Sequence, residues 1–463
     1  MKRFCLIALF ALAGCAVGPD YERPAIALPP DYPAEALEGD AAVPAEWWTL
    51  YRDATLEELV AATRANNAEI RLAAAQVEEA EAVLRQARAA LFPEITGGLQ
   101  RSRTRVSSLT APPPLGGFPL VRPDTRLFAS TNFEIDFWGR LGRAGEAARA
   151  SLLGSRFARD VVALSLGSLT AQTYFGLRSL DAQLAVLQET IRTRRDSLEL
   201  ARARVGGGLA SELDLHQAQA ALSDALVQRR DTERARALLE HQLGQLTGKP
   251  DLRLAAGDLF TLPVPPTPPA GLPSMLLERR PDIRAAEQTL IAANAQIGIA
   301  RAAMFPAISL TGLAGSQSAA FSDLLAGGTG IWSLGFALAL PIFDAGRREA
   351  AVEQTEARRR QALASYQSSI ESAFREVSDA LVNLEQTGAS EADLLERMQA
   401  ARSALQLSNE RYEAGYSPYL EVLDAQRTAN EAELAFVRNR QARLAFSVDL
   451  MKALGGGWRA ASS

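Results

Sequence analysis

Few residues of the 463-residue chain could carry covalent or metal chemistry. Both cysteines, Cys5 and Cys15, lie in the first fifteen residues, so the rest of the chain offers no thiolate nucleophile, thiolate metal ligand or disulfide. The two histidines, His216 and His241, are too few for a histidine-rich metal centre. Neither a nucleophile motif nor a glycine-rich phosphate loop is present. The sequence therefore argues against an enzyme and predicts no metal or cofactor, and the net charge of −5 argues against a nucleic-acid partner.

The remaining polar residues with a suggestive spacing lie near the starts of two predicted helices. Glu421 and Asp424 are three residues apart, so they can share one helix face. Asp214 and Glu212 follow Ser211, which has the residue type of a helix N-cap. These acids could form a functional cluster, or they could serve only to stabilise the helix starts.

These helices belong to a sequence that repeats itself. Arg88-Ala-Ala-Leu-Phe-Pro93-Glu-Ile returns 213 residues later as Arg301-Ala-Ala-Met-Phe-Pro306-Ala-Ile. A period near 200 indicates a duplicated half, because solenoid repeats are only about 20–50 residues long. The sequence therefore predicts two similar halves. Two further pairs lie 207 residues apart: Gly139-Arg140 with Gly346-Arg347, and Arg204 to Gly208 with Arg411 to Gly415.

The longest predicted elements are helices. Gly139 to about Ala203 contains no proline, and its apolar residues follow a heptad pattern that Arg194 interrupts. Its counterpart runs from Gly346 to about Glu413. About 65 helical residues would reach roughly 95 Å, a length that suits a rod or tube better than a globular domain. A glycine-bearing turn and a second helix follow each one, Ser211 to Leu246 or Pro418 to Leu454, which predicts two antiparallel helical hairpins.

After each Phe-Pro pair the helical periodicity gives way to alternation. Apolar residues occupy every second position in Leu127–Phe137 and Trp332–Ile342, with partner strands expected at Glu94–Val106 and Ala307–Gln317. Strands of about ten residues can cross a membrane at a tilt, although a half-buried sheet in a soluble domain would alternate too. Because lipid does not tolerate an open sheet edge, four transmembrane strands would have to share a barrel with other chains. Shorter helices, Leu56–Leu91 and Met275–Met304, precede the Phe-Pro pairs.

The first residues predict export. Lys2 and Arg3 precede an apolar stretch, Phe4 to Leu12, that is too short to span a membrane. Leu12-Ala13-Gly14-Cys15 resembles the lipobox of bacterial lipoproteins, whose cysteine becomes acylated, and Ala16 in place of Asp implies sorting to the outer membrane. An ordinary secretory cleavage site is the alternative. The predicted divisions are a signal peptide (1–14), a lipidated extended segment (15–53), a first repeat (54–247), a proline-rich linker (248–273), a second repeat (274–454) and a tail (455–463).

Several motifs, in order and at matching spacing, make nearly the whole chain resemble the outer membrane efflux protein family of TolC- and OprM-like channels, most closely its lipoprotein branch. The resemblance implies a mixed α/β membrane protein. Its long helices would form a periplasmic helical barrel, and its four strands would join a twelve-stranded β-barrel shared by a homotrimer. The motifs are Cys15-Ala-Val-Gly-Pro-Asp-Tyr-Glu-Arg-Pro24, Glu134-Ile-Asp-Phe-Trp-Gly-Arg140, Arg280-Pro-Asp-Ile283, Ala302-Ala-Met-Phe-Pro306-Ala-Ile308, Leu423-Asp-Ala-Gln-Arg427 and Ala453-Leu-Gly-Gly-Gly-Trp458.

The resemblance also implies a function and a gate. The protein would be the outer-membrane exit duct of a tripartite efflux system, docking on a periplasmic adaptor and an inner-membrane pump, with the lipoprotein form favouring a resistance–nodulation–division type pump. Asp214 and Tyr412 match residues that link neighbouring hairpins when the channel is shut. Glu421 and Asp424 match an acidic pair at the narrowest point, where three chains would contribute six carboxylates that attract cations. Ser417 stands where some relatives carry arginine, which puts a salt-bridged lock there in doubt.

The two tip turns, Arg204 to Gly208 and Arg411 to Gly415, resemble the family's adaptor-docking motif. A helix C-cap explains the glycines equally well, but it does not explain the arginines. Two other functions fit parts of the sequence: a lipid-anchored periplasmic coiled-coil scaffold without a pore, and the exit duct of a type I protein secretion system. Alternating strands in both halves disfavour the scaffold.

Overall fold

The structure is a computed structural model that describes residues 16–26, 43–107, 120–267 and 276–457. The predicted signal peptide, the predicted lipidation site Cys15 and most of the predicted tail lie outside the described residues. None of the described helices has the length and apolar character that crossing a membrane would require. The principal helices are α1 (Ala54–Asn66), α2 (Ala68–Ala89), α3 (Arg140–Gly206), α4 (Glu212–Thr247), α5 (Pro281–Ala302), α6 (Arg347–Glu413) and α7 (Tyr419–Ala453), and the strands are β1 (Ile95–Arg105), β2 (Val121–Ile135), β3 (Ala307–Ser318) and β4 (Gly330–Ala339).

The chain divides into two compact units that each combine several segments. The first contains the described residues of 1–25, 76–155 and 286–366, and therefore holds all four strands. The second contains the described residues of 26–75, 156–285 and 367–463, and therefore holds both helical turns.

The two predicted helical hairpins are confirmed. The helices α3 and α6 each contain 67 residues, and each ends in a turn whose glycine has a positive φ, 70° at Gly208 and 82° at Gly415. Equivalent backbone hydrogen bonds close the two helices, as in a Schellman motif. Leu209 N donates to Arg204 O in the first turn and Tyr416 N donates to Arg411 O in the second, both at 2.8 Å. The matching geometry explains why both copies carry glycine at this point.

The predicted strands pair into one antiparallel sheet in the order β1-β2-β3-β4. The register places Leu99 opposite Leu127, and Phe133 opposite Leu310, which in turn lies opposite Phe336. The β2–β3 ladder therefore joins the hairpin of one half to the hairpin of the other. In contrast to the prediction, β2 begins at Val121 and contains 15 residues.

Two of the predicted helices are interrupted. The predicted helix Leu56–Leu91 breaks at Asn67, whose backbone is extended. The Asn67 side-chain nitrogen, Nδ2, donates to Leu246 O at 2.9 Å. The predicted helix Met275–Met304 breaks at Arg280, because the residue before a proline disfavours the helical conformation. The Arg280 guanidinium donates to Ala453 O at 3.0 Å, so the Arg-Pro-Asp-Ile motif caps the end of α7.

The core of the second unit packs aromatic residues against the long helices. Trp47 and Tyr51, from a 3-10 helix, are buried with Tyr174 and Phe175 of α3 and with aliphatic residues of α4 and α7. The Tyr51 hydroxyl hydrogen-bonds the Ser447 hydroxyl at 2.7 Å, which satisfies both buried groups. This core packs α3, α4 and α7 together at a distance from the two turns.

The segment that follows Cys15 is bound to the first unit. Val17 N donates to Trp138 O at 3.0 Å, and Asp20 pairs with Arg143 at 2.7 Å. Arg23 donates two hydrogen bonds to the nearly buried carboxylate of Glu287 on α5, at 2.6 and 2.9 Å. These contacts give a structural reason for the first of the motifs, because its charged residues hold the segment in place.

Candidate functional site at the hairpin tips and the sheet

The first candidate site lies at the turns of the two hairpins. There α3, α4, α6 and α7 share a small buried cluster that includes Leu198, Ala218, Tyr412, Tyr419 and Val422. The rings of Tyr412 and Tyr419 are 5.5 Å apart. The predicted gate residues therefore surround a packed contact between the two hairpins of one chain.

Arg204 makes the polar link across this contact. Its Nη1 donates to the backbone oxygen of Tyr412 at 2.6 Å, and its guanidinium carbon lies 4.7 Å from the centre of the Tyr412 ring. Tyr412 is only 4% exposed and the hydrogen bond is partly buried, so the charge-assisted hydrogen bond and the cation–π contact are partly shielded from water. The Arg204–Tyr412 contact thus ties the end of α3 to the end of α6, two helix ends that lie 208 residues apart in sequence.

Asp214 and Tyr412 are not hydrogen-bonded to each other within the described chain. The Asp214 carboxylate accepts from Ser211 N at 3.4 Å, in a capping box that starts α4. The hydroxyls of Tyr412 and Tyr419 are buried and have no hydrogen-bond partner among the described residues. Burial raises the pKa of Tyr412, with the charge of Asp214 adding and that of Arg204 opposing, and burial raises the pKa of Tyr419 to about 12.

Each of the two predicted ring carboxylates has an arginine partner in its own chain. Arg411 Nε donates to Glu421 at 3.0 Å, and Arg427 donates to Asp424 at 2.8 Å. All four side chains are substantially exposed, so each pair contributes only about 0–1 kcal/mol and can exchange partners readily. The acidic pair is therefore locally neutralised in this arrangement, which the spacing of Glu421 and Asp424 alone did not predict.

The turn arginines, which a C-cap leaves unexplained, both bind residues that the sequence predicts to form the gate. Arg204 holds the backbone of Tyr412, and Arg411 holds Glu421. The half-buried Ser417 hydroxyl has no hydrogen-bond partner among the described residues. Ser417 stands where some relatives carry an arginine, and in this chain Arg204 provides a positive charge at the tip instead. Sequence reasoning missed Tyr419 and Arg427, although the one-turn spacing of Arg427 after Asp424 was a usable signal.

The second candidate site is one face of the sheet. Cross-strand partners share a face, so Ile135, Ile308 and Leu338 form one apolar row, and Phe133, Leu310 and Phe336 form the next. Exposure of these apolar side chains reaches 58% at Leu338 and 65% at Phe336. The opposite face carries polar residues, among them Ser130, Asn132, Glu134, Thr311 and Ser333.

A group of aromatic and charged residues joins this sheet to the helices. Trp138 Nε1 donates to Pro306 O at 2.8 Å, and its ring stacks on Phe305 at 4.5 Å. Arg140 donates two hydrogen bonds to Glu134 at 2.8 and 2.6 Å. The Asp136 carboxylate accepts from the backbone nitrogens of Leu141 and Gly142 in the first turn of α3. The Phe-Pro and Glu-Ile-Asp-Phe-Trp-Gly-Arg motifs therefore fix the passage from strand to helix.

The combination of long paired helical hairpins and a sheet with an exposed apolar face defines a class of membrane channel. The sequence profile of the outer membrane efflux protein family matches residues 59–249 and 272–456, one match in each half. The chain belongs to this family.

Relatives and a solved structure agree with this assignment. The toluene efflux pump outer membrane protein TtgC of Pseudomonas putida is 35% identical, over 98% of this chain and 94% of the relative. The cation efflux system protein CusC of Escherichia coli is 34% identical, over 98% of each chain. The open state of the outer membrane channel MtrE of Neisseria gonorrhoeae has a TM-score of 0.86 at 30% identity, covering 96% of this chain and 98% of that one. The predicted function in outer-membrane efflux and the predicted location in the outer membrane are confirmed.

Proposed function

We propose that three copies of this chain form one exit duct, with a twelve-stranded barrel in the outer membrane and the helical hairpins directed into the periplasm. The observation that carries this proposal is the four-stranded sheet, which has an exposed apolar face and whose strands β1 and β4 have no further neighbour within the described chain. Unpaired backbone groups are too costly to expose to hydrocarbon, so both edges need partner strands. Three such sheets supply an even number of strands, as closed antiparallel barrels in bacterial outer membranes require.

The proposed partners follow from the class of protein. Relatives are named as outer membrane proteins of efflux pumps, which supports an adaptor and an inner-membrane pump as partners of this chain. The lipoprotein motif favours a pump of resistance–nodulation–division type. The motif Leu12-Ala13-Gly14-Cys15 supports a lipid anchor on Cys15. Relatives of almost equal identity are named for toluene and for cations. Similar ducts therefore serve different cargo, and the cargo is selected by the pump.

The gate opens when the two hairpins of a chain separate at their tips. In the closed arrangement the Arg204–Tyr412 contact holds the two turns together, and the Arg411–Glu421 pair links the two helices of the second hairpin. Adaptor groups that accept hydrogen bonds from these arginines compete with Tyr412 O and Glu421. Docking on the turns is thereby coupled to opening, because Arg204 holds the two hairpins together only while it binds Tyr412 O.

The charge balance of the entrance follows from the same contacts. Glu421 and Asp424 from three chains give six carboxylates, and Arg411 and Arg427 give six guanidinium groups close to them. Loss of the Arg411 partner on docking leaves Glu421 uncompensated. The entrance therefore becomes more attractive to cations when the adaptor binds.

Assembly and conduction test this function together. The purified, lipid-processed protein should give a trimer in native mass spectrometry, with an acyl modification on Cys15, and should produce discrete conductance steps in planar bilayers. Cys15→Ala should lose the acyl mass but retain conductance, because the apolar sheet face gives the trimer its own membrane affinity. A stable monomer that forms no conductance steps would rule out the shared barrel.

A further inference from the structure

The loop end of the β1–β2 hairpin carries a row of arginines that the efflux function leaves unused. Arg101, Arg103 and Arg105 occupy alternate positions at the end of β1, and all three are exposed. Within the described part of the chain none of the three forms a salt bridge. On the paired strand, the Asp124 carboxylate binds Arg126 at 2.7 Å and accepts from Gln317 at 2.6 Å.

Alternation places these arginines on the apolar face of the sheet. Successive side chains of a strand point to opposite faces, so Arg101, Arg103 and Arg105 share a face with Ile95 and Leu99. The Asp124 carboxylate, opposite Ser102, belongs to the other face. The three arginines, about 13 Å from first to last, therefore form a basic stripe without an acidic residue opposite them in β2: Arg101 faces Thr125, Arg103 faces Pro123 and Arg105 faces Val121.

The stripe begins where the apolar rows end. Leu99 opposite Leu127 is the last apolar row on this face of the hairpin, and Arg101 opposite Thr125 is the next row, about 7 Å farther along the strand. Along β2 this face runs from Ile135 to Leu127, roughly 26 Å of strand, and is apolar except at Thr131. Tilted strands of this length span most of the ~25 Å apolar band of an outer-membrane barrel. The arginines consequently lie at the level of the lipid headgroups, pointing outward.

We propose that Arg101, Arg103 and Arg105 form a binding site for the phosphate groups of the anionic glycolipid in the outer leaflet. The inference rests on the proposed placement of the sheet in the outer membrane. Guanidinium groups bind phosphate through two parallel hydrogen bonds, and an outward row of three matches a headgroup that carries more than one phosphate. Bound glycolipid would fix the height of the barrel in the membrane, because it anchors the hairpin end at the headgroup level.

Equilibrium binding of labelled diphosphoryl lipid A to the purified trimer in neutral phosphatidylcholine nanodiscs tests the proposal. Each arginine near an anionic lipid surface contributes a factor of about five, so the triple variant Arg101→Gln, Arg103→Gln, Arg105→Gln should bind roughly 100-fold more weakly. A matched control removes the same charge from exposed helix arginines, Arg71→Gln, Arg195→Gln and Arg230→Gln, and should bind as the unmodified protein does. The triple Arg→Lys variant should retain most of the affinity, since the charge remains.

Three outcomes would overturn the site: equal affinity in the triple Gln variant, an equal loss in the helix control, or equal binding of a lipid A analogue without phosphate. Inorganic phosphate should compete only weakly with labelled lipid A. Strong competition would show that the site binds a free anion and not a lipid headgroup. Conductance of the same samples keeps the two proposals distinct. A triple Gln variant that conducts normally but loses lipid A supports both, whereas an unmodified trimer that fails to conduct rejects the channel whatever lipid it binds.

Discussion

The sheet and the hairpin tips of this protein are held together by different kinds of interaction. The sheet is joined by three continuous antiparallel ladders, the central one running from Thr125 opposite Ser318 to Ile135 opposite Ile308. The two tips are joined by one partly buried arginine contact and a small apolar cluster, while two exposed ion pairs lie within the second hairpin. Opening a ladder breaks many hydrogen bonds at once, whereas separating the tips breaks few. We therefore predict that the sheet is the permanent part of the duct and that the tips are the part that moves.

The largest effect is expected on the apolar face of the sheet. Leu338→Arg should destabilise the assembled protein by about 2–4 kcal/mol if it lies near the middle of the bilayer, because it exposes a charge to hydrocarbon. The matched control is Ala337→Arg, one residue earlier on the same strand and on the opposite face. Urea titration of the reconstituted protein measures both changes. Equal destabilisation by the two substitutions would show that the apolar face does not contact lipid.

The next largest effect is expected at the Arg204–Tyr412 contact. Arg204→Gln removes a charge-assisted hydrogen bond and a cation–π contact, a loss of about 1.5–3 kcal/mol, so the fraction of time spent open should rise roughly tenfold or more. Single-channel recording measures this fraction. Arg202→Gln, on an exposed position of the same helix, is the control and should leave it unchanged.

Tyr412→Phe separates this contact from a tyrosine hydrogen bond. The Tyr412 hydroxyl has no partner within the described chain, while its ring and backbone oxygen both contact Arg204. The substitution should therefore change opening far less than Arg204→Gln does. An equal effect would mean that the hydroxyl bonds a neighbouring chain in the trimer, as the predicted link between Asp214 and Tyr412 requires.

The smallest effect is expected from the exposed tip charges. Glu421→Gln with Asp424→Asn should shift reversal potentials toward anions, and Arg411→Gln with Arg427→Gln should shift them toward cations, because each pair is neutral when intact. Measurements in a salt gradient give both shifts. If neither double variant changed ion selectivity, the narrowest point would lie elsewhere along the duct.

Periodicity was enough to predict the hairpins and most of the sheet, but it missed the start of one strand and the break in one helix. The heptad and alternating patterns are local, so α3, α6 and most of the sheet follow from them. The start of β2 was missed because Arg122, Pro123 and Asp124 conceal the alternation. The helix break at Asn67 was missed because its side chain bonds Leu246 O, 179 residues away.

The tip residues show the same limit. Their positions followed from the resemblance, and the structure places them in the two turns and in the helix ends beside them. Their partners did not follow, since the group that Arg204 binds is a backbone oxygen in the other half of the chain, and a backbone oxygen carries no sequence signal. The gating and docking roles of these residues stay predictions that the tip variants test.

Hydrogen–deuterium exchange of the reconstituted protein tests most directly whether the sheet is permanent and the tips move. Amides of β2 and β3 should exchange slowest, while the turns at 204–209 and 411–416 should exchange through local opening. Arg204→Gln should accelerate exchange at both turns, although the second lies in the other half of the chain, and should leave the strands unchanged. Tips that exchange as slowly as the strands, or an acceleration confined to 204–209, would contradict a gate held by the Arg204–Tyr412 contact.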